Sequence, residues 1–491
     1  MQHTKENNTS AYTTYTKADW LYLVNRQESL LFRSISDNCY TKFQSTTGIA
    51  WQPTKIIRFK SGELLHSAKE LSELTAYFTV DNITRLIQFK EDLIYHVSQL
   101  DHLADKISNT DVSTLTKEEV YDMAVHYFDS ALAAHNFLLP LPAAEKVLSQ
   151  IITKELGSLK NKEKALITLT FPDKQNSHVD EETSFYEMVN AYNNNDPDFN
   201  TKRKNHLLQF SWIGARGYNF NNEWTEKTLM ERVRQFLASN QDPIEKLKEL
   251  RKTRKESIKE SEKLFNDTQL AKVPGLKEII TLAKEYVFLR TWRTDTIYRA
   301  GVKVKNLMNR IKEILHISDN DLLYLTYIEI INSLNSGKLV VTKEEIAQRK
   351  QHFVTLHWKG TEHIITDPSI ITYLTQNILP KEKATHEITG SAVYPGIVTG
   401  KAVVVFQQED VVKVKKGDIL VAVMTFPHFI AAMEKASAFV TDEGGILCHA
   451  AIIAREMKKP CVIATKNATK HITSGDTVQV NGTTGVVKIL K

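Results

Sequence analysis

The residues with the clearest chemical potential lie in Thr441–Pro460, TDEGGILCHAAIIAREMKKP. A short apolar run, Ala438–Val440, leads into Gly444 and Gly445. His449 follows, at the start of a stretch, Ala450–Met457, whose pattern predicts a helix. Paired glycines mark a backbone that turns sharply or approaches something closely. The amino end of a helix offers free N–H groups and a positive dipole end, which together seat an anion. Neutral imidazole, with an unperturbed pKa of about 6.5, is a competent nucleophile near neutral pH. The nitrogen–phosphorus bond it forms is labile, which suits a relay rather than storage. Phosphoryl transfer asks for positioning and charge neutralisation more than for covalent help. Backbone N–H groups around Gly445–His449 would supply part of that. Arg455 lies six residues past His449, about 240° round the helix, so it points elsewhere. Neutralising charge at a docking surface and making an ion pair both remain open to it. A lone histidine on a helix is ordinarily a packed residue, and Cys448 is better read as a small packed residue than as a reactive thiol.

The elements that must position these residues fill the last fifth of the chain. Ten glycines lie in residues 1–390 and eight in residues 391–491. That shift in turn content, with valine-rich runs, places a domain boundary near Lys381–Gly390. Lys401–Phe406, Gly417–Val423, Phe439–Thr441 and Cys461–Ala464 are expected as strands, and His428–Lys435 as a short helix. Gly475–Asp476 and Asn481–Gly482 signal a closing hairpin. Ala450, Ala451 and Ala454 are small enough to let the His449 helix sit close to a sheet.

Upstream the period is mostly helical. Trp20–Ser34 is expected as a helix, Lys55–Lys60 as a strand, and Glu63–Phe78 as a helix. Ile87–Ile107 and Thr116–Phe137 follow, the second opened by a capping box, Thr116-x-x-Glu119, and closed by Pro140 and Pro142. Asn193–Pro197 is a polar loop. Asp242–Pro243 starts a helix over Ile244–Phe265, and Pro274–Gly275 separates it from a run of about 40 residues, Leu276–Leu315. These two stretches are expected to form a long antiparallel pair. Asp321–Leu334 adds another helix. The fold class is therefore multidomain: a mostly α-helical N-terminal region followed by a C-terminal α/β domain. The expected boundaries are 1–80 (small, mixed or helical), 81–385 (helical) and 386–491.

Composition narrows the classes of function. The 491 residues carry 63 Lys and Arg against 58 Asp and Glu, a formal charge of +5. That is too small to argue for nucleic acid or an anionic membrane surface. Three cysteines do not make a disulfide framework, which favours a reducing compartment. Neither a secretory h-region nor an apolar run long enough to span a bilayer is visible, so a cytoplasmic location is expected. The histidines show no metal-ligand spacing, and no metal site is expected. Two further groups draw attention. Asn205–Phe220 combines aromatics with two glycines, and Trp212 and Arg216 there are candidates to line an acceptor pocket. Arg290 and Arg293 lie on a predicted helix among aromatics; a packed amphipathic face is the plainer reading, a substrate or phosphate contact the sharper one.

Residues 390–491 resemble the mobile phosphohistidine domain of phosphoenolpyruvate-utilising enzymes. The residues that carry the resemblance are Gly396, Gly400, Gly417–Asp418, Thr425-x-Pro427, Thr441–Asp442, Gly444–Gly445, Cys448–His449–Ala450–Ala451–Ile452, Ala454–Arg455–Glu456, Pro460, Gly475–Asp476 and Gly482. The resemblance implies that His449 is phosphorylated and dephosphorylated in turnover, that Thr425 partners the ring, and that the domain swivels between two sites. It departs at Ala464, where the family usually has glycine. Weaker similarity upstream, at Phe210–Gly217 and Arg290–Leu325, matches the helical part of the rifampin phosphotransferase group. It implies that a helical domain holds a small-molecule acceptor. No ATP-grasp domain, P-loop or phosphoenolpyruvate-binding barrel is expected within these residues. No cofactor is then expected to bind the chain directly; ATP and Mg would act through an ATP-grasp partner. The alternatives are a regulatory module that uses phospho-His449 as a signal, and a self-contained kinase with an unrecognised nucleotide site.

Overall fold

A computed structural model describes residues 12–26, 28–157, 159, 162–215, 218–220, 223–238, 241–267, 269–379, 386–406, 408–425, 429–444 and 449–490. It divides into two compact units: residues up to Glu226 together with Asp242–Leu379, and Lys227–Gln241 together with the chain after Leu379.

The first unit is built on a five-stranded antiparallel sheet. Its strands are β1 (Trp20–Asn25), β2 (Lys55–Phe59), β3 (Glu63–Ser67), β4 (Val354–Trp358) and β5 (Thr361–Ile365), in the order β1-β3-β2-β4-β5. Lys359 and Gly360, at φ 51° and 81°, form the two-residue turn between β4 and β5, the left-handed pair that matches strand twist. Alternate residues of β2 serve opposite faces. Ile57 and Phe59 join Leu65, Leu356 and Leu374 on one side, whereas Ile56 joins Leu31, Ile35 and the helical core on the other.

Three sequence expectations change here. Trp20–Asn25 is a strand, and the helix begins only at Leu30, where the Ser29 hydroxyl accepts from Phe32 N. Glu63–Ser67 is likewise a strand; Ser67 then caps the helix Ala68–Tyr77 through Glu70 N. The two segments pair with each other, Glu63–Ser67 also pairs with Lys55–Phe59, and burial of Leu64 and Leu65 overrides the weak local preference of Glu63–Ser67. The expected boundary at residue 80 is also not seen. β4 pairs with β2 across almost 300 residues, in register from Lys55↔Trp358 to Phe59↔Val354. Leu86 and Phe89 share one core with Leu31 and Ile56.

The helices follow the same logic. The expected capping box at Thr116 is present, with both Thr116 and Glu119 bonded across the first turn of Lys117–His135. Pro140, expected only to end that helix, opens the next, Pro140–Glu155, because a first-turn proline lacks an N–H that would be unpaired anyway. The run Leu276–Leu315 breaks at Val304 into Leu276–Lys303 and Lys305–Leu315. The expected pairing of this run with the preceding helix does not form. Leu276–Lys303 packs on Ile83–Ser108 and Pro140–Glu155, while Pro243–Asn266 packs on Ser177–Asn193 and Lys162–Leu169. No described helix is long and apolar enough to cross a membrane.

Between the sheet and the helix Leu30–Asn38 lies a buried ionic cluster. Arg58 donates to Glu28 at 3.0 Å and to Ser36 Oγ at 2.9 Å, and pairs with Asp37 at 2.8 Å. Arg33 donates to the carbonyls of Phe59 and Lys60; burial and the neighbouring Arg58 push its pKa down to about 10. His66 is buried beside this cluster, and burial, then Arg58 and His357, push its pKa down to about 3. His135 is pushed down to about 4, chiefly by burial. Both rings are thus neutral in the fold and protonate in the unfolded chain. The unfolded state binds more protons below pH 6.5, so stability falls as pH falls. Each histidine costs about 1.4 kcal/mol per pH unit from pH 6.5 down towards its folded pKa. Denaturation midpoints measured between pH 7 and 4.5 should show this slope, and His66→Gln should remove one histidine's share of it.

The second unit carries β6 (Glu387–Thr389), β7 (Ser391–Tyr394), β8 (Ile397–Val405), β9 (Ile419–Ala422), β10 (Ala438–Thr441), β11 (Cys461–Ile463), β12 (Thr477–Asn481) and β13 (Val486–Ile489). They form one sheet in the order β6-β13-β12-β8-β9-β10-β11-β7. The central strands β8, β9, β10 and β11 are parallel, and the flanking pairs antiparallel. One face packs Leu420, Phe439 and Ile463 against Met433, Ala450, Ala451 and Ala454; the other packs Val421, Val440 and Val462 against Ala468, Val478 and Val487. The three alanines of the His449 helix are all buried. At Gly482 a side chain is sterically barred, since an added Cβ would stand 2.0 Å from the Tyr394 carbonyl oxygen.

Candidate active site

β9 and β10 lie side by side and parallel, with Phe439↔Leu420 and Thr441↔Ala422 in register. Their carboxyl ends therefore release two loops at one edge of the sheet, the usual place for a site in a parallel sheet. The loop after β9 carries Thr425, which is buried. The loop after β10 carries Asp442 and Gly444, the latter at φ 130°. The helix His449–Glu456 then starts on the core-facing side. Gly445 and Cys448 lie outside the described residues; His449 is the first residue of its helix. Arg455 is exposed near the other end of that helix.

The exit from β10 is held from three directions. Asp442 N donates to Ala422 O, and Glu443 N to Val423 O, tying the two loops together. The Thr441 hydroxyl donates to Glu443 O at 2.7 Å. The buried Asp442 carboxylate accepts from Thr465 Oγ1, Thr469 N and Thr469 Oγ1. Burial raises its pKa against the lowering effect of those donors. Asp442 thus pins the loop to the short helix Ala468–His471. The sequence offered Thr441–Asp442 only as matching positions; the hydroxyls at 465 and 469 that give Asp442 its role come from beyond the next strand. Lys459 closes the neighbouring helix Ile430–Lys435, its ammonium reaching the carbonyls of Met433, Glu434 and Ala436.

Ala464 explains its own departure from glycine. Its φ is 57°, in the left-handed region that costs a residue with a Cβ about 1 kcal/mol. Thr465 N and Thr465 Oγ1 both donate to Thr441 O immediately afterwards, which holds the strained residue in place. Ala464→Gly should therefore be neutral or stabilising by up to ~1 kcal/mol, whereas Ala454→Gly in the helix should cost about 1 kcal/mol. Thermal melts of the two variants check the contrast.

The candidate acceptor residues of the first unit separate. Trp212 is buried, donates from its indole nitrogen to Gln209 O, and lines a cleft of about 1300 Å³. Arg216 lies outside the described residues. Arg290 and Arg293 do not line that cleft. Arg290 pairs with Glu145 at 2.9 Å, and Arg293 is buried, donating to Phe137 O. The plainer reading fits Arg293, which faces the core; Arg290 lies on the exposed side of the helix. The cations that do line the cleft are Lys204, Arg299, Lys303 and Lys305, with Leu207, Trp224 and Val302 supplying apolar wall. Arg299 and Lys303 share Asp101, a pairing that an i,i+4 spacing of cations hinted at and only tertiary contact completes.

Residues 414–485 match the family described as "PEP-utilising enzyme, mobile domain". A probable phosphoenolpyruvate synthase of Pyrococcus horikoshii is 46% identical over 113 residues, 23% of this chain and 14% of the relative. The phosphoenolpyruvate synthase of Pyrococcus furiosus is 49% identical over 106 residues, 22% of this chain and 13% of the relative. A rifampicin phosphotransferase of Bacillus cereus is 30% identical over 273 residues, 53% of this chain and 30% of the relative. The chain thus spans less than a third of the length of these relatives. The C-terminal portion of this chain, with His449 opening a helix beyond the parallel strands of its sheet, is thus similar over residues 414–485 to the mobile domain of phosphoenolpyruvate-utilising enzymes.

Proposed function

We propose that this protein is a phosphotransferase component in which His449 carries a phosphoryl group from a nucleotide site to a small-molecule acceptor held by the helical unit. The observation that carries this reading is the placement of His449. It begins a helix directly after the Gly444 loop, inside the residues that match the mobile domain. The donor is an ATP-grasp protein acting in trans, which binds ATP with Mg. In the loading step an imidazole nitrogen of His449 attacks a phosphoryl group, the nitrogen–phosphorus bond forms and the phosphoanhydride bond breaks. In the delivery step the acceptor's hydroxyl attacks the same phosphorus, the nitrogen–phosphorus bond breaks, and the hydroxyl proton passes to a base. Thr425 would support the ring, and helix N–H groups the transferring oxygens. Arg455 would neutralise charge where the carrier docks. The cleft beside Trp212 is the acceptor's seat in this reading, its size and mixed apolar and cationic wall suiting a drug-sized molecule.

The test is to incubate the chain with labelled ATP, Mg and an ATP-grasp protein encoded beside it. The expected product is acid-labile, base-stable label on this chain. Absence of such label with a nucleotide-competent partner would refute the carrier role.

A further inference from the structure

A buried histidine in the helical unit stands between a carboxylate and a hydroxyl. His206 lies on the helix Phe199–Phe210, with its side chain fully buried. Its Nδ1 is 3.0 Å from Ser184 Oγ, and its Nε2 is 3.2 Å from Oε1 of Glu181, also fully buried. Glu181 and Ser184 are three residues apart on Ser177–Asn193, so one helix face presents both to the ring. Phe185 and Phe210 flank the imidazole, with ring centroids at 6.3 and 5.3 Å. Ser184 differs from its two partners in being partly exposed. It lines the cleft of about 1300 Å³, together with Ser177, Lys204, Leu207 and Trp212.

A carboxylate, an imidazole and a hydroxyl in line, the first two dry and the third open to a cleft, is the arrangement that activates a serine. With its proton on Nε2, His206 faces Glu181 and leaves Nδ1 to accept from Ser184. Nε2 makes no well-aligned hydrogen bond among the described residues, although Glu181 Oε1 stands 3.2 Å from it. The two ring nitrogens are used in the opposite sense from the familiar triad. An imidazole passes a proton equally well in either direction, so the chemistry is unchanged. The imidazolium formed when His206 takes a proton would be stabilised by the nearby Glu181 carboxylate.

We propose that Ser184, His206 and Glu181 form a nucleophilic site that accepts a phosphoryl or acyl group from an activated ester bound in the cleft. In the step, Ser184 Oγ attacks phosphorus or carbonyl carbon. The new O–P or O–C bond forms, the bond to the leaving group breaks, and the serine proton passes to His206 Nδ1. The leaving group departs with the electron pair and takes that proton from His206. Ser184 is the catalytic residue; His206 is the base, and Glu181 a positioning residue.

The test treats the full chain with diisopropyl fluorophosphate for the phosphoryl arm and p-nitrophenyl acetate for the acyl arm, and locates adducts by mass spectrometry. The expected result is a single adduct on Ser184 in at least one arm, absent in Ser184→Ala. The rate should fall at least ~10-fold in His206→Gln and in Glu181→Gln. Location of the adduct on Ser184 rather than on His449 separates this site from the phosphocarrier. No adduct in either arm, or an adduct elsewhere, would overturn the proposal. So would a Ser184 rate unchanged in a Glu181→Gln or His206→Gln variant that retains the wild-type circular dichroism spectrum.

Discussion

His449→Ala is expected to abolish phosphoryl loading of this chain and to leave its fold intact. The effect should be large because, in the proposed role, the substitution removes the atom that bonds to phosphorus. Loss of a covalent nucleophile lowers turnover by on the order of 10⁴-fold or more, about 5.5 kcal/mol of barrier. Stability should barely change, since His449 is the first helical residue and alanine is the better helix former. The helix is held instead by Ala450, Ala451 and Ala454, which are buried against the sheet. Two controls sharpen the result. Cys448→Ala should still load, which rules out a thiol carrier. Asp442→Asn should load more slowly and melt earlier, because Thr465 and Thr469 lose the carboxylate that anchors the loop. Acid-labile label that persists in a folded His449→Ala chain would contradict the carrier assignment.

Arg58→Leu is expected to be the most destabilising single change in the helical unit. Arg58 is 5% exposed and compensates both Glu28 and Asp37, themselves buried. Removing one partner of a buried pair leaves uncompensated charge and costs about 3–5 kcal/mol. Burial already raises the Asp37 pKa even with Arg58 present. A carboxyl whose folded pKa is raised favours the fold at low pH and opposes it as pH rises through the unfolded pKa. The Arg58→Leu deficit should therefore grow between pH 4 and 7. Adding Asp37→Asn and Glu28→Gln should recover much of the loss, a non-additive coupling that a double-mutant cycle would measure. A deficit under ~1 kcal/mol, or one indifferent to those partners, would show the cluster to be more hydrated than its burial indicates.

The separation between legible and illegible features has a consistent cause. Signals carried within a few residues were reliable. The capping box at Thr116 and Glu119 formed as its spacing dictates. So did the Asp242–Pro243 start and the strands that deliver the chain to Gly444 and His449. The glycine pattern of the last hundred residues was informative because close approach is a local steric demand, as at Gly482. Ala464 shows the limit of pattern alone: its left-handed backbone accounts for a family preference for glycine without requiring one.

Features that depend on residues far apart in the chain were not legible. β3 lacks strong strand composition, and pairing makes it a strand. β4 and β5 return from beyond residue 350 to complete a sheet begun at residue 20, which removes any boundary near residue 80. The helix carrying Arg290 and Arg293 has a suitable pattern for either a pocket or a core, and only its packing on Ile83–Ser108 and Pro140–Glu155 decides for the core. His206 has no distinguishing neighbour in sequence; Glu181 and Ser184 meet it 25 and 22 residues away, through the crossing of two helices. By itself, then, the sequence determined the likeness of residues 414–485 to the mobile domain, because that likeness is written in short-range glycine, helix and strand signals. Tertiary structure alone decided the sheet that anchors the helical unit, the residues that line its cleft, and the hydroxyl–imidazole–carboxylate line that opens onto it, because each depends on long-range pairing and burial that no local pattern encodes.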